Sequence, residues 1–195
     1  MRHRLIEYMK RMSPDIDVSE MDRIVDELAP ASGFSRGDLL VRQGDVAREC
    51  YFVLQGCLRL FSVDEEGRET TADFITEEQT AVIFESFKQG KPSPYSLECL
   101  EDSIVLHGDL HSETEMYGRF PALKEMTRRA IEEQLASRLE AHATFKAASP
   151  EQRYLDLLDE RPGLPARVPQ HQLASYLGVT PESLSRIKRR VKRAD

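Results

Sequence analysis

Glu182, Ser185, Arg186 and Arg189 follow Thr180-Pro181 at a spacing that puts all four on one face of a helix. Their types suit the edges of base pairs. An Arg can take guanine O6 and N7 bidentately, and a Glu can accept from cytosine N4, both in the major groove. Ser183, Lys188, Arg190, Lys192 and Arg193 surround the same helix and suit phosphates, which position a protein on DNA without reading its sequence. From Glu182 to Asp195 six basic residues stand against two acids, a charge of +4. The whole chain carries −7, so the preceding 181 residues carry −11. An acidic body with a basic end suits a protein whose end meets a polyanion.

These side chains need a rigid mount, and Gln170 to Arg189 supplies the pattern of one. Leu173, Ala174 and Leu177 share a helical face; Gly178 follows, then the apolar Val179, Leu184 and Ile187. Two helices crossing steeply over a short turn need this order. Ala174 must be small where the second helix passes close, and Gly178 supplies the positive φ that ends the first helix. Thr180 is a suitable N-cap, with Pro181 at the first helical position. A helix-turn-helix that reads double-stranded DNA is expected here.

Upstream, Tyr117 to Ala148 reads as a long helix in which Leu123, Thr127, Ile131, Leu135 and Leu139 step by four between dense Arg and Glu flanks. Such a narrow stripe pairs with another helix, here a second copy of the chain, although packing on its own β domain accounts for part of it. From Phe34 to about Leu110 the texture is β. Strands are expected at 38–41, 51–54, 58–61, 70–75, 80–83 and 103–106, with glycine at the corners, which means a sandwich or jelly roll. Leu5 to Ala29 reads as one helix ended by Pro30, with Ser19 and Asp22 as a capping box and Met21, Ile24, Val25 and Leu28 as its apolar stripe.

At 195 residues, 40% hydrophobic and 31% charged, the chain is long enough for a substantial core. No apolar run is long enough to cross a membrane. The N-terminal residues show no secretory pattern, so a cytoplasmic location is expected. Cys50, Cys57 and Cys99 have no ligand spacing and read as inert thiols. A jelly-roll enzyme of the cupin kind would need several His and a Glu on one metal, and His107 with His111 falls short of that. No catalytic residue, metal or cofactor is expected.

The segment Phe34-Ser35-Arg36-Gly37-Asp38-Leu39-Leu40-Val41-Arg42-Gln43-Gly44-Asp45, the strand pair Tyr51–Leu60, and Val179–Ile187 resemble the first roll strands and the recognition helix of the cyclic-AMP receptor protein/Fnr superfamily of bacterial transcription regulators. The resemblance covers essentially the whole chain. It implies an α+β fold: an N-terminal β-roll, double-stranded and jelly-roll-like, over residues 1–116, a dimerisation helix over 117–148, and a helix-turn-helix domain over 149–195. It implies a homodimer that reads a palindromic site, with RNA polymerase and a small-molecule effector as further partners. Glu182 and Arg186 match the family's base-contacting positions, and Pro181 replaces a frequent Arg, so the operator should differ. Asp195 stands where the family usually continues into a β-wing, so the domain is expected to lack most of that wing.

In cyclic-nucleotide-binding members of that family, a Gly-Glu pair and an Arg-Ser or Arg-Thr pair hold the ribose and cyclic phosphate. The matching places here read Val82-Ile83 and Ser93-Pro94. Without the Arg a buried phosphate would carry uncompensated charge. Cyclic AMP is therefore not expected as a tight ligand, and Val82, Ile83, Phe84, Ser93 and Pro94 are read as the pocket of an unidentified effector. Lys88 and Lys91 read as parts of a solvated loop. The alternative function is a ligand-binding or protein-interaction module that has lost DNA binding.

Overall fold

The computed structural model describes residues 2–28 and 31–194, with side chains at all of these except 141–144, 146, 193 and 194. The segment expected as one N-terminal helix is two, α1 (Arg2–Met12) and α2 (Val18–Glu27). Pro14 disfavours helix at Ser13 and lacks the N–H that α1 would need to continue. Asp17, rather than Ser19, caps α2: its carboxylate accepts the Ser19 backbone N–H at 2.8 Å. Met21 and Ile24 are buried as the stripe requires. The stop read at Pro30 lies outside the described residues.

Among the described residues eight strands follow: β1 (Ser32–Phe34), β2 (Leu39–Val41), β3 (Glu49–Gln55), β4 (Leu58–Val63), β5 (Glu69–Ile75), β6 (Thr80–Ala81), β7 (Ser96–Cys99) and β8 (Ser103–Asp109). They pair antiparallel in two four-stranded sheets, ordered β1-β8-β3-β6 and β2-β7-β4-β5. Six of these strands coincide with the expected ones; β1 and β7 are additional. The strand expected at 80–83 ends at Ala81, and the chain turns into a short helix, α3 (Phe84–Gln89). At the β3–β4 corner only glycine fits. Gly56 has φ +115°, and a Cβ there would lie 2.2 Å from Ser103 Oγ and 2.8 Å from Ser103 Cα.

Alternation along the strands gives the roll two dressed surfaces. Val53, Leu58, Ile75, Leu97, Cys99 and Val105 point inward and form its core. Their neighbours point outward: Phe52, Leu54 and Leu106 lie beneath α1 and α2, while Cys57, Phe74 and Leu100 lie beneath the C-terminal helices. Burial pushes the Cys57 thiol up to about 12 and that of Cys99 to about 11, so both stay protonated.

The helix expected from Tyr117 is also two, α4 (Leu110–Arg119) and α5 (Pro121–Ala147). Phe120, held out of helical geometry by the Pro after it, anchors the break at 3% exposure. The stripe on α5 splits. Leu123 is buried against the roll and Thr127 and Ile131 are half-buried, whereas Leu135 and Leu139 are 55% and 62% exposed. The C-terminal part consists of α6 (Pro150–Glu160), α7 (Leu164–Arg167), α8 (Gln170–Tyr176) and α9 (Pro181–Ala194) around one apolar cluster. Among the described residues no helix is long and apolar enough to cross a membrane.

Candidate nucleic-acid interface and its seat on the roll

The turn between α8 and α9 is built as its residue types demand. Gly178 takes φ +69°, and the Val179 N–H bonds the Ala174 carbonyl at 3.0 Å. Thr180 Oγ1 accepts the Ser183 N–H at 3.2 Å. Ala174, Leu173 and Leu184 are wholly buried where the two helices meet. No sequence pattern hints at the brace behind the turn: Arg153 of α6 donates to the Leu177 carbonyl at 3.2 Å, its guanidinium lying 4.1 Å from the Phe145 ring centre.

The outer face of α9 presents Glu182, Arg186, Arg189 and Lys192 to solvent, with Ser183 and Ser185 half-buried between them. Arg186 is steadied by Ser183 Oγ at 3.3 Å and Arg189 by the Ser185 carbonyl at 3.4 Å. Hydrogen bonds from its own backbone N–H and from Thr180 hold the Glu182 carboxyl below its ordinary range, so it remains an acceptor. Gln170, which is not among the expected contact residues, donates to Ser185 Oγ at 2.6 Å and to the Pro181 carbonyl at 3.2 Å. Two phosphate candidates face α6 instead of standing free: Arg190 pairs with Glu151 at 3.0 Å, and Lys188 Nζ lies 5.9 Å from the Tyr154 ring centre. The Arg193 side chain lies outside the described residues.

The helix pair is seated on the roll. Phe74 meets Tyr176 with ring centres 5.3 Å apart, and the Thr71 N–H bonds Ser175 Oγ at 3.0 Å. Arg161 donates to the Phe74 carbonyl at 2.8 Å. Arg167 bridges Glu77 at 2.8 Å and Glu101 at 2.5 Å. Burial pushes the Glu77 carboxyl up, but hydrogen bonds from Arg167 and the Gly56 N–H outweigh it, and the net shift is downward from 4.5. A carboxyl lowered in this way adds stability above about pH 4.5 that is lost as pH falls through its own lower value. Glu77→Gln should therefore cost up to about 1 kcal/mol at neutral pH, the pair being a third exposed. The difference from the parent should vanish in acid, as urea unfolding across a pH series would read.

The five residues read as an effector pocket do not gather round one cavity. Val82 and Ile83 line the small cavity inside the roll, Val82 and Phe84 line a hollow outside it, and Pro94 is exposed. Ser93 is buried, with its hydroxyl donating to the Tyr95 carbonyl at 2.6 Å. Lys88 is exposed on α3 and pairs with Glu113, and Lys91 is exposed in the loop after it and pairs with Glu85. Inside the roll the free volume is only about 30 Å³, walled by Val41, Tyr51, Ile75 and Leu97. Arg138 of α5 reaches its edge and is paired with Asp73 at 2.6 Å. His107 bonds Ser32 Oγ at 2.9 Å from within β8, whereas His111 stands exposed on α4 beside Glu115.

Residues 32–118 match the family model of the cyclic nucleotide-binding domain. Over 189 residues, 91% of this chain and 77% of the relative, the sequence is 21% identical to the regulatory protein HlyX of Actinobacillus pleuropneumoniae. Over 190 residues, 92% and 74% of the two chains, it is 21% identical to the fumarate and nitrate reduction regulatory protein of Vibrio cholerae serotype O1. The fold is similar to that of FixK2 from Bradyrhizobium japonicum, with a TM-score of 0.70 at 15% identity and 86% of each chain covered. A cyclic nucleotide does not fit the residues present. About 30 Å³ is the share of one water molecule, and the cation at its edge is already spent on Asp73.

Proposed function

We propose that this chain is a regulator of the Crp/Fnr type, binding DNA as a homodimer. The observation that carries the reading is the exposed row Glu182, Arg186 and Arg189 on a helix whose opposite side is locked by Leu184 and Ile187. A rigid mount with open donors and an ionised acceptor is what major-groove readout requires. Leu135 and Leu139, one turn apart and uncovered on α5, support pairing with a second copy. A two-fold dimer would set its recognition helices about 34 Å apart and favour a palindromic site. Residues 1–116 would form the effector body, 117–148 the pairing helix and 149–195 the reader. Cyclic AMP would not be its effector.

Fluorescence anisotropy with a duplex from the gene's own upstream region, against a scrambled duplex, tests this. Arg186→Ala should lose about 1–3 kcal/mol on the specific site and relax preference at one base pair. Lys192→Ala should weaken both duplexes alike and lower the salt slope by about 1. Equal binding by Arg186→Ala and parent would refute the assignment of Arg186. Absence of any salt-dependent DNA affinity would favour a ligand-binding or interaction module instead.

A further inference from the structure

We propose that the half-open hollow bordered by α1, the outer face of β3 and β8, α3, α4 and α5 is a binding site for a small, uncharged, apolar molecule of about one or two rings. Its free volume is about 210 Å³, seven times that inside the roll. Leu5, Met9, Phe52, Leu106, Met126 and Ile131 supply most of its wall. An apolar cavity of about 150 Å³ is enough to hold benzene, so this one accommodates a substituted benzene or a naphthalene.

The polar groups at its edge say what is excluded. Lys88, the one lysine or arginine among the lining residues, is paired with Glu113 at 2.5 Å. Glu113 also accepts from the Tyr117 hydroxyl at 3.1 Å, so its charge is committed. His107 is bonded to Ser32, and the Cys50 thiol donates to the Gly108 carbonyl at 3.5 Å. An anionic ligand would have to break the Lys88–Glu113 pair or bury its charge unpaired, and either is costly. A neutral one loses nothing on entry and gains dispersion contacts with a wall that lacks them. The site would exist whether or not the chain reads DNA. Its occupant would touch Thr127, Ala130 and Ile131, one turn before the uncovered Leu135.

The test titrates the full chain with 1-naphthylamine and with 1-naphthalenesulfonate, a matched neutral and anionic pair. The chain has no tryptophan, so probe emission is read without indole interference. Saturable binding of one naphthylamine per chain is expected, with the sulfonate at least tenfold weaker. Ala130→Phe, which fills the hollow, should lose at least tenfold in naphthylamine affinity. Glu113→Gln frees Lys88 and should narrow the gap between the two probes, an effect that nonspecific adsorption would not give. If Ala130→Phe does not fold, as judged by circular dichroism, the Glu113→Gln comparison decides. Equal affinity for both probes in the parent, unchanged binding by folded Ala130→Phe, or an unchanged gap in Glu113→Gln would each overturn the proposal. So would binding that disappears as rising protein concentration drives dimerisation, which would give the hollow to the second copy.

Discussion

Phe74→Ala is expected to cost about 3–5 kcal/mol and to split one unfolding transition into two. Phe74 is wholly buried, and it packs with Cys57 and Leu100 of the roll against the cluster of α6 to α9. Truncation empties the join between the two halves, where the walls are secondary structure that cannot collapse inward. What remains are the smaller contacts of Cys57 and Leu100, the Thr71–Ser175 and Arg161–Phe74 hydrogen bonds, and the partly exposed pairs of Arg167 with Glu77 and Glu101 and of Arg161 with Asp73, the pairs worth under about 1 kcal/mol each. Those cannot keep the halves cooperative. Urea unfolding followed by circular dichroism should show two steps and a reduced slope for the first. A single step displaced by less than about 1 kcal/mol would mean that Phe74 does not hold the join.

Arg59→Met should lose about 2–3 kcal/mol, less than the full cost of breaking a wholly buried pair because one of its carboxylates is half exposed. Arg59 is 2% exposed on β4, directly under α8. Its Nε donates to Thr71 Oγ1 at 2.9 Å, and its Nη1 reaches Glu69 at 2.7 Å and Glu98 at 2.9 Å. The guanidinium carbon lies 4.3 Å from the Phe61 ring centre. Methionine keeps the length and loses the charge, leaving Glu98 beside Gln172 with no cation. Arg59→Met/Glu98→Gln should recover about half of the loss, because the unpaired carboxylate goes with it. A double variant no better than the single one, in the same urea assay, would show that packing rather than charge sets the cost.

The recognition helix and its turn are legible because each key residue answers a local demand. Gly178 must take positive φ, Thr180 must cap, and Leu184 must fill the crossing, none of which needs knowledge of the rest of the chain. The strands around Gly44 and Gly56 are readable for the same reason. The break at Phe120 is not: Pro121 sits at a first helical position, where proline is equally at home starting a helix, and the apolar stripe runs on past it. β7 is hidden by Pro92 and Pro94 beside it and by a polar Ser96 and Glu98 in its alternation. The seat is hidden for a deeper reason. Phe74 and Ile75 look like two apolar residues of one strand, and nothing local says that the first meets Tyr176, a hundred residues on. The outer hollow is likewise assembled from six elements spread between α1 and α5, and no spacing rule points to it.

β5 carries Ile75 into one core and Phe74 into the other, and Cys57-Leu58 and Cys99-Leu100 divide their loyalties in the same way. A chimaera joined just before α6, grafting a foreign C-terminal half onto this roll, would set strange side chains against Phe74. Repairing that mismatch by altering β4 or β5 would disturb the sheet whose other face packs the core of the roll. The two halves are thus poor candidates for shuffling between proteins, and the sheet between them is the part of this chain least free to drift.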